Sequence, residues 1–365
     1  MLLPIYNQKG ISLVELLITL LLSLFMLTGV VQIFSSNSHS YRFSKAFSSL
    51  QENGRVALDE IARDIRMAGY LGCASRQQIT VNSIANDFAP DLSPENHLIG
   101  FDNSIGSPLI SKRSQLKDYL SRPLILCDSV LGNTESCRQS DVIQIIKTSE
   151  TIAVTTTTQP TNNSPITISS SEMLELRPTP TIGGNSETEE DLFLITDCRN
   201  ADLFRASNIS ANSITPNGNL QQQYSNGSFL APLSGVLYFL ARDDKDRDND
   251  GSSDPIANLY RIGLFDNDVV PLATPIARGV ESLQFQYGED TQGDEFADIY
   301  RNSAADVTDF TRVVSIRVGI LMKSDVDFLT DNPLPVSFLG DTFTSSDRRL
   351  RLQFFTTVGL RNRVP

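Results

Sequence analysis

One stretch limits what this chain can fold into more than any other. From Ile11 to about Phe34 the sequence is apolar, with no proline, a single glycine at Gly29 and one acid, Glu15. About 20 apolar residues suffice for a helix to span the hydrocarbon of a bilayer. An unpartnered carboxylate inside that layer costs at least ~2.5–3.5 kcal/mol, so a chain that keeps Glu15 there should supply it with a partner. Lys9 is the only charge before Glu15, and the small residue Gly10 precedes the apolar run instead of following it. A secretory signal has the opposite order, an apolar region of ~7–15 residues followed by a small-residue cleavage site. Cleavage after Gly10 would leave the apolar helix on the protein. It would also free an amine on Ile11, about one helical turn from Glu15.

The pattern continues beyond the lipid-like part. Phe47, Leu50, Gly54, Leu58, Ile61, Ile65 and Ala68 recur at spacings of three and four, which makes one apolar stripe of a helix. Arg55, Asp59 and Arg63 follow one another four apart on the other face, in alternating sign. A single helix from Ile11 to Ala68 would be about 85 Å long, and Gly69 and Gly72 offer its stop. The first half belongs in lipid or a fibre core, and the second belongs under a soluble head.

The head begins with a segment dense in Pro, Gly, Asn and Asp, read as loops. Strands are expected from Val142 to Ile146, Met173 to Leu176, Leu192 to Ile195, Val236 to Leu240, Leu259 to Ile262, Leu283 to Tyr287, Val313 to Val318 and Leu350 to Phe354. The Thr-, Ser- and Asn-rich stretch from Thr151 to Ser171 reads as a solvated loop or an exposed hairpin. One long helix followed by a late series of strands defines an α+β fold, with the helix packed on an antiparallel sheet. The expected divisions are residues 1–10 as a leader, 11–34 as the membrane or fibre-core helix, 35–70 as its amphipathic half and 71–365 as the head. A loop-rich insert is expected over about 74–190.

Net charge is −13 over 365 residues, which argues against general nucleic-acid binding. Lys9 on the short N-terminal side places the head across the inner membrane from the cytoplasm. All four cysteines, Cys73, Cys127, Cys137 and Cys198, follow the apolar run, and an even count on the exported side suggests two disulfides. Three connectivities are open. Cys127–Cys137 as a short loop with Cys73–Cys198 as a long staple is the favoured one, against free buried thiols.

Enzyme chemistry finds little support. The two histidines, His39 and His97, lack a nucleophile context, and no Walker loop, GxGxxG turn or HExxH is present. No cofactor is required. Asp246, Asp248, Asp250 and Asp254 surround Gly251 as D-x-D-x-D-G-x-x-D, a spacing that can wrap calcium. Ala257 stands where an EF-hand has its bidentate glutamate, and the alternative is a solvated acidic hairpin tip. Asp290, Asp294 and Asp298 form a weaker version, with Gln292 in place of an acid. Arg348, Arg349, Arg351, Arg361 and Arg363 read as solvent-facing positions with ion pairs, or as a contact for an acidic partner.

Lys9-Gly10, Ile11 and Glu15 resemble the class III signal of type IV prepilins: the peptidase site, the N-methylated first residue and the assembly glutamate. Further segments are similar to the PilW family of type IV pilus minor pilins. These are Ala62 to Tyr70 with Gly72-Cys73, Asp197-Cys198, Leu259-Tyr260-Arg261, and Gly279 to Gln284 with Tyr287-Gly288. The last are Arg348 to Arg351 and Leu360 to Arg363. The resemblance implies a minor pilin that primes assembly and sits at or near the filament tip, supporting twitching motility, adhesion and DNA uptake. Implied partners are other minor pilins and the major pilin through the N-terminal helices, the prepilin peptidase, the inner-membrane assembly platform and a tip adhesin. The alternatives are a pseudopilin of type II secretion and an unrelated membrane-anchored binding protein.

Overall fold

The computed structural model describes residues 12–73, 79, 81–85, 97–102, 116–118, 124–127, 140–176, 192–242, 256–264 and 272–362. Helix α1, Leu13–Arg66, is continuous over 54 residues and therefore about 81 Å long. Its start has no side-chain cap: Ser12 is extended and the Glu15 amide bonds to the Ser12 carbonyl. At the other end the chain leaves through Met67 and Ala68 to Gly69, whose φ of +69° suits glycine. The Gly69 amide turns away from the helix and bonds the Ile146 carbonyl, 2.9 Å, in strand β5, Val142–Thr148.

The N-terminal half of α1 touches no other described element, and its apolar residues are exposed on every side. The C-terminal half buries Leu50, Gly54, Ala57, Ile61, Ala62, Asp64 and Ile65. Phe47 and Leu58 lie half-buried at the margins of that stripe, while Arg55, Asp59 and Arg63 face water. Arg55 and Asp59 approach to 3.6 Å, an exposed pair of little energetic weight.

Among the described residues, two sheets and a separate two-stranded hairpin make the head. The larger sheet is ordered around strand β11, Phe229–Arg242, which runs for 14 residues. Its first part pairs antiparallel with β8, Leu192–Thr196. Its second part lies between β5 and β12, Ala257–Gly263. β9, Ala201–Ile209, extends the β8 side, and β13, Leu272–Arg278, extends the β12 side. β5 is buried at every position, which explains its nearly unbroken apolar sequence.

The second sheet has the order β15–β14–β16–β19. These strands are Ile299–Arg301, Val280–Glu289, Val313–Lys323 and Arg351–Gly359. The chain passes from β13 into β14 through Gly279, φ +81°. A Cβ there would stand 2.7 Å from the Lys323 carbonyl oxygen, so the transition between sheets needs a glycine. Helix α1 lies on β19, β16 and β13. Between helix and sheet, Leu50, Ala57, Ile61 and Ile65 pack with Leu283, Phe285, Val318, Ile320 and Val358. A hairpin of β17, Pro335–Phe338, and β18, Asp341–Thr344, covers part of the opposite face.

The α+β architecture agrees with the sequence reading, but two local expectations fail. Met173 to Leu176 belongs to a short helix, α2, Ser170–Leu176. Ser169 and Glu172 form a reciprocal capping box: the Ser169 hydroxyl accepts from the Glu172 amide, and the Glu172 carboxylate accepts from the Ser169 amide. That cap outweighs the two-residue alternation that suggests a strand. The stretch from Thr151 to Ser171 keeps about half of its residues exposed, but it is not wholly the solvated loop expected, because part of it packs. It contributes the two-residue strands Ala153–Val154 and Ile166–Thr167, and Ala153, Ile166 and Ile168 enter a core with Phe193 and Phe204.

Candidate assembly helix and its anchorage to the head

Glu15 lies in the first turn of α1, exposed among Leu13, Val14, Leu16, Leu17 and Ile18, each at least half exposed. Thr19, Ser23 and Thr28 return their hydroxyls to carbonyls of the preceding turn, leaving no unsatisfied hydroxyl on the helix surface there. By length and composition α1 can cross a membrane, and it is the one such helix among the described residues. A helix apolar all round has to be covered by lipid or by other helices.

What makes this rod useful is its attachment. Asp64 sits on the apolar stripe, three residues after Ile61, and is 4% exposed. Its carboxylate accepts from Lys147 Nζ at 2.8 Å and from the Tyr238 hydroxyl at 2.6 Å, and Arg261 Nε lies 3.4 Å away. Burial alone would raise the Asp64 pKa. The Lys147 and Tyr238 hydrogen bonds, with the charges of Lys147 and Arg261, outweigh it and hold the carboxyl below its ordinary value. Burial, together with the Asp64 charge, raises the Tyr238 phenol far above its usual range. This cluster joins the helix to β5, β11 and β12 at one point.

Three further ties surround it. At Gly54 the helix backbone comes so close to β19 that an added Cβ would lie 2.5 Å from the Phe354 ring. At the helix end, Asn362 Nδ2 donates to the Ala68 carbonyl, 3.1 Å. Just beyond, Cys73 and Cys198 are joined by a disulfide that ties the helix exit to the β8–β9 turn. Cys127 is buried and disulfide-bonded, and Cys137, its expected partner, lies outside the described residues.

A second buried ionic group fixes the smaller sheet. Arg351 at the start of β19 grips Glu281 through Nε, 2.6 Å, and Nη2, 3.0 Å. It grips Asp347 through Nη1, 2.6 Å, and Nη2, 3.0 Å. Lys323 approaches Glu281 to 3.6 Å. The expectation of a solvent-facing Arg351 is therefore corrected: its side chain is 8% exposed, because two carboxylates from neighbouring segments converge on it. Arg348 instead lies over the Phe328 ring, 4.1 Å from its centre. Arg363 is outside the described residues.

Gly10, Ile11, Asp246, Asp248, Asp250 and Asp254 also fall outside the described residues. The strands that flank the acidic turn do pair antiparallel, ending at Arg242 opposite Ala257. In the weaker stretch, one oxygen each from Asp290, Asp294 and Asp298 lies within 4.8 Å of the others. Asp290 accepts from the amides of Gln292, Gly293 and Glu295, and Asp298 from the amides of Thr291 and Gln292. These bonds, led by the Glu295 amide for Asp290 and the Thr291 hydroxyl for Asp298, hold both carboxyls below their ordinary values.

The anchor residues were partly hidden in the sequence. Asp64 could have been noticed as a charge on an apolar stripe, and Lys147 as a charge ending a buried run. Nothing local pointed to Tyr238 as their partner. The quoted motifs prove to be complementary halves of contacts: Asp64 meets Arg261, Cys73 meets Cys198, Glu281 meets Arg351 and Ala68 meets Asn362.

Fold and anchorage together define a helix-tethered α+β protein, an exposed apolar rod joined to a β head through the Asp64 cluster and the Cys73–Cys198 disulfide. Residues 238–362, from Tyr238 of the Asp64 cluster to Asn362 at the helix end, match the model of the PilW family, type IV pilus-assembly protein W. The match covers the C-terminal third of the chain, and the family it names is one of type IV pilus assembly. No curated protein and no solved structure matches the chain.

Proposed function

We propose that the chain is a minor pilin that primes assembly of a type IV pilus and resides at or near its tip. One observation carries the reading: an apolar helix exposed all round, with Glu15 in its first turn, is fixed to the head by residues of the PilW-matched segment. Before assembly the helix is held in the inner membrane with the head on the periplasmic side. The leader is removed after Gly10 and the new N-terminus at Ile11 is methylated. On extraction the helix docks beside other pilin helices, and Glu15 pairs with an amine on a neighbour. In low dielectric an orphaned carboxylate is costly and a paired one is not, so the pairing selects register more than it adds affinity. Other minor pilins, the major pilin, the peptidase and the assembly platform are the partners, and twitching, adhesion and DNA uptake are the processes served.

The test is a Glu15→Ala strain. Surface filaments sheared from it should be lost or strongly reduced, while the head retains its Cys73–Cys198 disulfide. Normal piliation would refute the pairing. A Gly10 substitution that still yields a shortened mature band would refute the cleavage site.

A further inference from the structure

Strand β19 ends its sheet, and its outer edge has no partner among the described residues. Its nine residues pair with β16 from Ser315↔Gly359 to Lys323↔Arg351 without a register shift. Beyond that ladder, no described backbone group bonds it. Exposed edges are normally blunted by charge, proline, a bulge or short length. Residues 352–360, Leu-Gln-Phe-Phe-Thr-Thr-Val-Gly-Leu, contain neither a charge nor a proline. Gln353, Phe355 and Thr357 are exposed on the face away from the helix, Phe355 stacking on Phe338 of the covering hairpin at 5.6 Å. At about 3.3 Å per residue this is roughly 30 Å of uncharged edge. The edge is held in place by the Arg351 ion pairs at one end and the Asn362–Ala68 contact at the other.

The direction of the edge limits what can cover it. Phe354 packs at Gly54 and Asn362 at Ala68, so strand and helix run in the same sense. Antiparallel self-pairing of β19 would reverse the second copy and send its apolar helix out of the first copy's membrane. Parallel self-pairing about a two-fold axis along the strand would put the two helices on opposite faces of the joined sheet, apart from one another. Neither arrangement of two copies lets the apolar helices pack together.

We propose that β19 is the docking edge for an extended strand of a different helix-tethered subunit, which adds to the sheet with its own helix on the same face as α1. Main-chain hydrogen bonds supply the attraction, as in other strand additions. The shared direction of β19 and α1 brings the two helices side by side as the strands pair. The inference deepens the minor-pilin reading and rests on it for the shared membrane.

The test places a photo-crosslinking phenylalanine analogue at position 355 or 357 of the full-length protein in piliating cells, with a third variant carrying it at Leu21 in the helix. The expected result is an adduct from 355 and 357 whose peptides map to a strand of a second helix-tethered subunit. That adduct should be lost when Gln353→Lys is added to the 357 variant, with the Cys73–Cys198 disulfide intact. A helix adduct at position 21 without any edge adduct overturns the edge proposal alone. A self-adduct at 355 or 357, or an edge adduct that persists with Gln353→Lys, also overturns it. Absence of adducts at all three positions overturns the pilus reading and the edge together.

Discussion

Replacing Asp64 with alanine removes the acceptor on which three head strands converge. Lys147, 7% exposed, would keep only the Glu150 carboxylate at 3.9 Å, and the fully buried Tyr238 hydroxyl would lose its acceptor. Removing one partner of a buried pair costs about 3–5 kcal/mol, most of it from the charge left behind. At roughly 2–4 °C per kcal/mol, the melting temperature should fall by ~6–20 °C. The assay is thermal unfolding of the full-length protein in detergent, followed by tyrosine near-ultraviolet circular dichroism, since the chain has no tryptophan. The cost should belong to the orphaned lysine, so Asp64→Leu combined with Lys147→Met should recover most of the loss. The pH dependence has a definite sign. The folded carboxyl of Asp64 is held below its ordinary value, so its stabilisation is complete above about pH 4–5 and is lost as pH falls through the folded value. Asp64→Asn should therefore flatten part of the acid limb of stability. A single-mutant shift under 1 °C, or a double mutant no better than the single, would refute the reasoning.

Other substitutions probe the remaining ties. Gly54→Val should cost about 1–3 kcal/mol through collision with Phe354, and Phe354→Leu should relieve it; equal stability of wild type and Gly54→Val would count against close packing. Reducing Cys73–Cys198, or replacing both with serine, should destabilise by up to about 5 kcal/mol in the chain-entropy model for a separation of 125 residues, read as a lower urea midpoint. Glu281→Ala should cost several times more than Lys323→Met. The first leaves Arg351 and Lys323 without their shared carboxylate, whereas burial already pushes the Lys323 ammonium pKa down and a methionine can replace its apolar stem. Chemical denaturation of the two variants side by side decides it.

Sequence alone determined the rod: apolar residues without proline and a three-four stripe are local properties, and they place Leu50, Gly54, Ile61 and Ile65 on the buried face. It also located most strands of the head, because alternating or β-branched runs mark a pleated surface wherever they occur. It failed at Met173–Leu176, where a cap at Ser169 decided the conformation, and over Thr151–Ser171, where polar residues accompany Ile166 and Ile168 into a core. Only the tertiary structure decided which distant residues answer one another. Asp64 finds Lys147, Tyr238 and Arg261 across separations of 83, 174 and 197 residues, and no local pattern encodes a partner that far along the chain. The open side of β19 belongs to the same level, since an edge exists only once the other strands have taken their places.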